Sequence, residues 1–445
     1  MSTLPLLRAH CNHAVFAWRG RQPVNVGQFL CDVAQLASLL PARRHILNLC
    51  RDRYHFVVGF CAALLRQHVS LLPPSQAPDL IEQLSRRYAG IYCLTDAGED
   101  FQSLETLHYP SWSDTDSGVP AMPQIPAQQI AAIVFTSGST GQPVANEKSW
   151  GSLVRGAAAG LARFDMHDHA GMAVLATVPP QHMYGLESSV LMIMQGGLAL
   201  HAGRPFFPAD VLRELAALPH PRCLVTTPIH LRALLAETAA LPPLDFLLCA
   251  TAPLTPQLAA TAEARFGAPL HEIYGCTEAG QVATRRTVES AEWRTLPDIQ
   301  LHQDEQGTRA HGGHIENEVL LHDVIELRGH NNFLLHGRTA DLINIAGKRT
   351  SLASLNHHLN SITGVRDGVF VMPAQDDGAV TRLTAFVVAP TLTSETVMNA
   401  LRQRIDAAFL PRPLRMVAAL PRNDTGKLPR AALRQLYTER EKKTG

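Results

Sequence analysis

The chain has 445 residues, with 39 Lys plus Arg against 39 Asp plus Glu and a formal net charge of zero. No block of like charge stands out, which argues against a nucleic-acid or anionic-membrane surface and favours small-molecule chemistry. The length exceeds one ordinary core, so two or three domains are expected.

The opening residues have no basic stretch followed by a long apolar core, and no window reaches about 18 uninterrupted apolar residues, so a cytoplasmic protein without membrane insertion is expected. Cysteines at 11, 31, 50, 61, 93, 223, 249 and 276 form no CxxC pair and read as reduced core residues. The histidine-rich stretches "HGGHIE" (His311 to Glu316) and "NHHL" (Asn356 to Leu359) lack a zinc ligand set, so no structural metal is expected.

In chain order, Val26 to Leu40 has helical periodicity, His45 to Cys50 is strand-like, and Asp52 to His68 returns to helix with Asp52 as its cap. "VSLLPP", a helix from Asp79 and "GIYCLTD" repeat the cycle. It resumes with a helix around Leu153 to Phe164 and strands at Met172 to Val178, Arg222 to Pro228 and Asp245 to Leu254. Short apolar runs separated by helices of this length mark parallel strands covered on both faces. The fold class is therefore α/β, a large N-terminal domain with doubly wound, mostly parallel sheets. The polar, Gly-rich stretch 302–314 reads as a surface hairpin. From Ser351 the pattern changes: a helix to Ile362, strands at Gly368 to Met372 and Arg382 to Ala389, and an amphipathic helix from Glu395 to Phe409. This is a small α+β domain, with its boundary near Gly337 to Asp341.

"IVFTSGSTGQPVANEKSW", Ile133 to Trp150, joins a strand-like run to a cluster of small and hydroxyl residues. Ser137, Gly138, Ser139, Thr140 and Gly141 offer N–H groups and short hydroxyls with no bulk to hold a polyanion away. The pattern is not GxxxxGK[ST], because Gln142 follows Gly141. Taken alone, the stretch is a phosphate cradle or a flexible turn.

Three further stretches stand downstream: "YGCTE" at Tyr274 to Glu278, "GRTADLINIAGKR" at Gly337 to Arg349, and "NDTGKLPRAAL" at Asn423 to Leu433. With "TSGSTGQP" at Thr136 to Pro143, these four motifs resemble, in order, the signatures of the adenylate-forming superfamily of acyl-CoA synthetases, aryl-acid ligases and nonribosomal adenylation domains. The resemblance implies domains at 1–336 and 343–445, the second mobile about a hinge at 337–342. It implies an acid-thiol ligase that uses ATP and Mg²⁺ to make an acyl-adenylate with release of pyrophosphate. The acyl group then passes to the phosphopantetheine thiol of CoA or of an acyl carrier protein.

By the same resemblance, Thr136, Ser137, Gly138, Ser139, Thr140 and Gly141 hold the β and γ phosphates. Thr277 touches the α-phosphate and Glu278 carries the metal, a hard cation satisfied by one or two carboxylates plus phosphate oxygens. Tyr274, next to Gly275, stacks on adenine. Ala250, Thr251 and Ala252 in "CATAPL" flank adenine and the acid pocket, the alternative being a plain strand end. Asp323 accepts the ribose hydroxyls and Arg338 follows the same region. His182 and Gly185 in "PPQHMYGLE" line the acid pocket, Ala340 and Asp341 form the hinge, and Gly347 lets the pantetheine arm pass. Lys427 meets the charge developing at the reacting centre, a role whose loss typically lowers a rate by about 10²- to 10³-fold.

The sequence departs from the superfamily pattern at Val144, where a Lys usually reaches the terminal phosphates, and at Ala340, where Asp or Lys is usual. Lys148 is the obvious substitute, but four extended residues span about 13 Å, so either the segment bends, or Lys148 serves elsewhere, or Arg349 or Lys348 compensates. No Asp stands near His182 to pair with a substrate amine, so a plain acid is expected in place of an amino acid. The short chain points to a compact pocket for an aryl acid such as a hydroxybenzoate or cinnamate. A fatty acid, a non-catalytic adenylate-binding module and an oxygen acceptor are the alternatives. Arg402, Arg404, Arg412, Arg415 and Arg430 form either a carrier-protein surface or an ordinary solvated face. The oligomeric state stays open.

Overall fold

Helix starts follow side-chain chemistry: Asp52 caps its helix as expected, and the helix expected around Leu153 starts three residues earlier, at Trp150. The helix Val26–Leu39 is capped by Asn25, whose side chain accepts from Gln28 N at 2.8 Å, and Arg53–Leu65 by Asp52, which accepts from His55 N at 3.1 Å. Ser149 caps Trp150–Arg163 by accepting from Ser152 N at 3.0 Å. These caps are seen in a computed structural model that describes residues 2–8, 11–98, 104–111, 118–137, 143–338, 342–345, 348–372, 383–422, 428 and 432.

Two large sheets carry the N-terminal part. In the first, Val69–Leu72, His45–Asn48, Tyr92–Thr95, Glu105–His108 and Ile130–Ser137 run parallel, and Pro143–Ser149 closes the edge antiparallel to Ile130–Ser137. The second sheet is parallel from Val15–Arg19 through Ala199–His201, Ala173–Ala176, Arg222–Thr226 and Phe246–Cys249 to Leu270–Cys276. Beyond that it turns antiparallel through Gly280–Arg285, Trp293–Thr295, Asn332–Arg338 and Asp323–Leu327. The hairpin partner Gln22–Asn25 forms its opposite edge. The mostly parallel α/β reading holds for the centre of each sheet, and the antiparallel flank is what carries the Tyr274–Glu278 motif.

One buried cluster joins the two sheets, drawing Ile46, Leu72 and Val134 from the first, Val174, Cys223 and Leu248 from the second, and Phe56, Trp150 and Ile193 from the helices between them. The surface hairpin expected at 302–314 is present as Ile299–Asp304 paired with Gly307–Gly312, continued by Ile315–Leu321. After residue 342 a separate cluster forms from Leu355, Leu359, Phe370, Val387, Val397 and Leu401. There the helix expected over Glu395 to Phe409 is shorter. It runs Ser394–Arg402, and Ala407–Phe409 makes a separate 3₁₀ turn. The Asp406 side chain accepts from Ala408 N at 2.9 Å and starts the new turn, the competition with helix typical of Asp. No described helix is long and apolar enough to cross a membrane.

Arg53 fastens this frame. Its fully buried guanidinium donates to the carbonyls of Ala176 at 3.0 Å and Val178 at 2.7 Å and to the Ser189 hydroxyl, so the helix Arg53–Leu65 holds the end of the strand Ala173–Ala176 and the segment Glu187–Leu191. Burial lowers its pKa to about 9, still charged at neutral pH. Arg53→Met strands two buried carbonyls and is expected to destabilise the protein by about 3 kcal/mol, read as a lower urea midpoint with unchanged slope.

Candidate active site

The strands flanking residues 138–142 are paired, with Ser137 opposite Pro143 and Thr136 opposite Val144. Gly138, Ser139, Thr140 and Gly141 lie outside the described residues, as does the side chain of Ser137. Val144 is 51 % exposed, and from Val144 to Lys148 the strand pairs residue for residue with Thr136 to Ala132. The segment therefore does not bend, and of the three ways to replace the missing loop lysine, the second describes Lys148. That side chain is 6 % exposed and its ammonium donates to the main-chain carbonyl of Glu278 at 2.6 Å. A register shift between Lys148 and Ser149 then lets Ser149 cap the next helix.

The Tyr274–Glu278 stretch leaves the strand Leu270–Cys276 and turns into Gly280–Arg285. Gly275 is required there: a Cβ would lie 2.2 Å from the carbonyl oxygen of Gly280. The Tyr274 hydroxyl donates to Asp323 Oδ2 at 2.7 Å, and its ring packs against Trp293 and Phe333. Asp323 pairs across the strands with the backbone of Arg338, so the structure brings these three positions together. Thr277 is half-buried and Glu278 exposed, beside one another in the turn. Burial pushes the neighbouring Cys276 thiol up to about 12, so it is no nucleophile. An exposed carboxylate next to a hydroxyl is a donor set that fits a magnesium ion sharing phosphate oxygens. Among the described residues no cluster of three or more His, Cys, Asp or Glu side chains could hold a metal by itself.

Ala250, Thr251 and Ala252 follow the strand Phe246–Cys249. Thr251 has φ +84°, an unusual backbone state for a β-branched residue. The loop is fixed beyond the strain point, where Leu254 N donates to Glu272 Oε1 at 3.3 Å. The buried Glu272 also receives Arg285 Nε at 2.7 Å and Thr287 Oγ1 at 2.8 Å. In the acid-pocket segment, His182 precedes the short helix Met183–Leu186, and Gly185 sits where a Cβ would lie 1.9 Å from the Pro179 carbonyl oxygen. The Tyr184 hydroxyl donates to the Thr226 carbonyl at 3.1 Å, joining this segment to the strand Arg222–Thr226. Of the other predicted positions, Ala340, Asp341, Gly347 and Lys427 lie outside the described residues, as does the side chain of Arg338.

Sequence reasoning missed the polar cluster beneath the turn. Glu187 is 3 % exposed and its carboxylate accepts from Gln281 N at 3.1 Å. Burial raises its pKa to about 7 against the pull of that N–H and of Lys148, and burial likewise lowers Lys148. His314 donates its Nε2–H to the Ala279 carbonyl at 3.1 Å, and burial brings its pKa down to about 4. Gly280, at φ +78°, leaves space for both, since a Cβ there would lie 2.6 Å from Glu187 Oε1. The available signal was a lone carboxylate in the apolar run "GLESSVLMIM".

Fold and site together define an adenylate-forming enzyme. Residues 11–309 match the family model described as AMP-binding enzyme, and the chain belongs to that family. It is an acid-thiol ligase of the AMP-forming kind, in the acyl- and aryl-CoA ligase branch. A 4-coumarate–CoA ligase of Rhodobacter capsulatus is 28 % identical over 305 residues, 68 % of this chain and 75 % of the relative. The 3-hydroxybenzoate/4-hydroxybenzoate–CoA ligase of Thauera aromatica is 23 % identical over 386 residues, 76 % of this chain and 72 % of the relative. Among solved structures, the anthranilate CoA ligase AuaEII in complex with anthranoyl-AMP superposes with TM-score 0.81 at 14 % identity, over 99 % of both chains.

The neutral His314 makes stability depend on pH. The unfolded chain takes up a proton near the ordinary value of 6.5 and the folded chain only near 4. Below about 6.5 the unfolded state therefore binds more protons, and stability falls with pH by up to about 3 kcal/mol. Thermal midpoints at pH 7.5 and 5 should show a smaller acid loss in His314→Gln than in the unaltered protein.

Proposed function

We propose that this enzyme activates an aryl carboxylic acid of the hydroxybenzoate or cinnamate type with ATP and transfers it to a phosphopantetheine thiol. The observation that carries the reading is the convergence of Tyr274, Asp323 and the Thr277–Glu278 turn on one flank of the sheet. The strained Ala250–Ala252 loop and the His182–Gly185 segment supply candidate walls for the acid. The aryl preference is supported by the relatives, which are named for coumarate, hydroxybenzoate and anthranilate.

In the first step an oxygen of the substrate carboxylate attacks the α-phosphorus, the bond to the bridging oxygen breaks, and pyrophosphate leaves. Charge grows on the phosphoryl oxygens and the bridging oxygen, so the site must supply donors and cations already in place. Thr136, Ser137, Ser139 and Thr140 hold the outgoing phosphates and Thr277 the α-phosphate. Asp323 takes the ribose hydroxyls, with its second acceptor position steadied by Tyr274. Glu278 would hold the magnesium ion, which supplies positive charge to the phosphates. Lys427 enters on the C-terminal domain to meet the reacting centre.

In the second step the thiol sulfur attacks the acyl carbon, the carbon–oxygen bond to AMP breaks, and the thiol proton passes to solvent. Lys427 must withdraw first, by rotation about 337–342. Gly337, at φ +122°, supports a hinge there, since few other residues adopt that backbone state. Gly347 would leave passage for the pantetheine arm. CoA as the acceptor is supported by the relatives' names, and a carrier protein by exposed Arg402, Arg404 and Arg412 on the C-terminal domain.

Pyrophosphate release measured across benzoic, cinnamic, short-chain and long-chain acids is expected to be largest with an aryl acid. Lys427→Ala should lower it by about 10²- to 10³-fold, whereas a response confined to aliphatic acids would refute the aryl assignment. Competition between CoA and a phosphopantetheinyl carrier protein for the same adenylate identifies the acceptor. Exclusive use of CoA would assign the arginine face to solvent.

A further inference from the structure

The turn that carries Thr277 and Glu278 is held by its main chain from three directions. Lys148, on the edge strand of the first sheet, donates to the Glu278 carbonyl at 2.6 Å. His314, at the tight turn after the strand Gly307–Gly312, donates to the Ala279 carbonyl at 3.1 Å. Glu187, in the segment that follows the acid-pocket helix, accepts from Gln281 N at 3.1 Å. All three side chains are buried, while Thr277 is half-buried and Glu278 exposed. The grip is therefore on the backbone, and the two side chains of the turn stay available.

Stability does not explain this arrangement. A buried ammonium and carboxylate rarely outperform well-packed apolar residues of the same volume, because both must be stripped of water. Lys148 is nevertheless buried, and it reaches across from one sheet to a turn of the other. The same sequence segment lacks a lysine at Val144, which is exposed to solvent.

We propose that Lys148 is a positioning residue for ATP: its ammonium fixes the Glu278 main chain, as Glu187 fixes Gln281 N beside it, so that Thr277 and Glu278 meet the nucleotide phosphates. The inference rests on the ligase reading above. It makes the edge strand contribute to nucleotide binding through its sixth residue, with Glu187 holding the adjoining strand by Gln281 N.

The test compares Lys148→Met, Glu187→Gln and the double variant in the full chain. ATP affinity is measured calorimetrically with magnesium present, together with KM for ATP, KM for the best acid and the thermal midpoint. Lys148→Met should weaken ATP binding about 10- to 100-fold, the usual effect of removing a group that orients ligand-holding residues without touching the ligand, with KM for the acid changed less than about twofold. The double variant should regain the thermal midpoint lost in either single variant and leave ATP binding weak. Recovery of both properties in the double variant would show that Lys148 serves only to neutralise Glu187, and the proposal would fall. Equal changes in both KM values would also overturn it. If the unaltered protein binds ATP yet releases no pyrophosphate with any acid, the ligase reading fails, and the ATP affinities still decide the role of Lys148. If it binds no ATP, both fall.

Discussion

A buried ammonium must be given a partner, and in this protein that requirement ties three distant segments together. Lys148 comes from the edge of one sheet and donates to the Glu278 carbonyl in a turn of the other, and Glu187, from the helical stretch between the sheets, accepts from Gln281 N beside that turn. Each is held by its own element: the strand by its ladder, the helix by Arg53 acting through Ser189, the turn by the close approach of Gly275 to Gly280. The Tyr274–Glu278 turn consequently inherits the rigidity of both sheets. Loop length or composition alone would not give it that.

Much of the frame was legible because its signals are local. Asp52 starts a helix where a small polar side chain accepts a backbone N–H, and short apolar runs became the parallel centres of both sheets. The Tyr274–Glu278 motif could be found by resemblance, and its glycine has a physical reason visible only in three dimensions. What stayed hidden were relations between segments. Lys148 read as the obvious substitute for the loop lysine though too far from the loop, because its actual partner is a turn 130 positions later in the chain. Glu187 sat in an apolar run, a hint that a carboxylate was being buried, but no local pattern names its partner. The helix after Glu395 came out too long because the amphipathic period continues past the point where Asp406 starts a fresh turn.

The site also shows how strain and restraint are distributed. Thr251 holds a backbone state that β-branched residues avoid, and the loop behind it is fastened by Glu272, itself buried beneath Arg285 and Thr287. The Arg285 guanidinium lies 4.4 Å from the Trp293 ring centroid, and that ring in turn packs on Tyr274. The Ala250–Ala252 loop and Tyr274 are thus supported by one continuous set of contacts. A change at Arg285 would reach both through Glu272 and Trp293.

The far edge of the large sheet bears on how the chain is made. The strand Val15–Arg19 leaves a ribosome well before its parallel partner Ala199–His201, which follows about 180 residues later. At about 5–20 residues per second, the hairpin Val15–Asn25 waits roughly 10 to 40 seconds before its inner edge can be covered. During that interval an apolar strand containing Phe16 and Trp18 is open to the wrong neighbour. The first sheet, whose last strands end at Ser137 and Ser149, can assemble sooner, so during synthesis the completion of the second sheet, with the turn that carries Glu278, comes last.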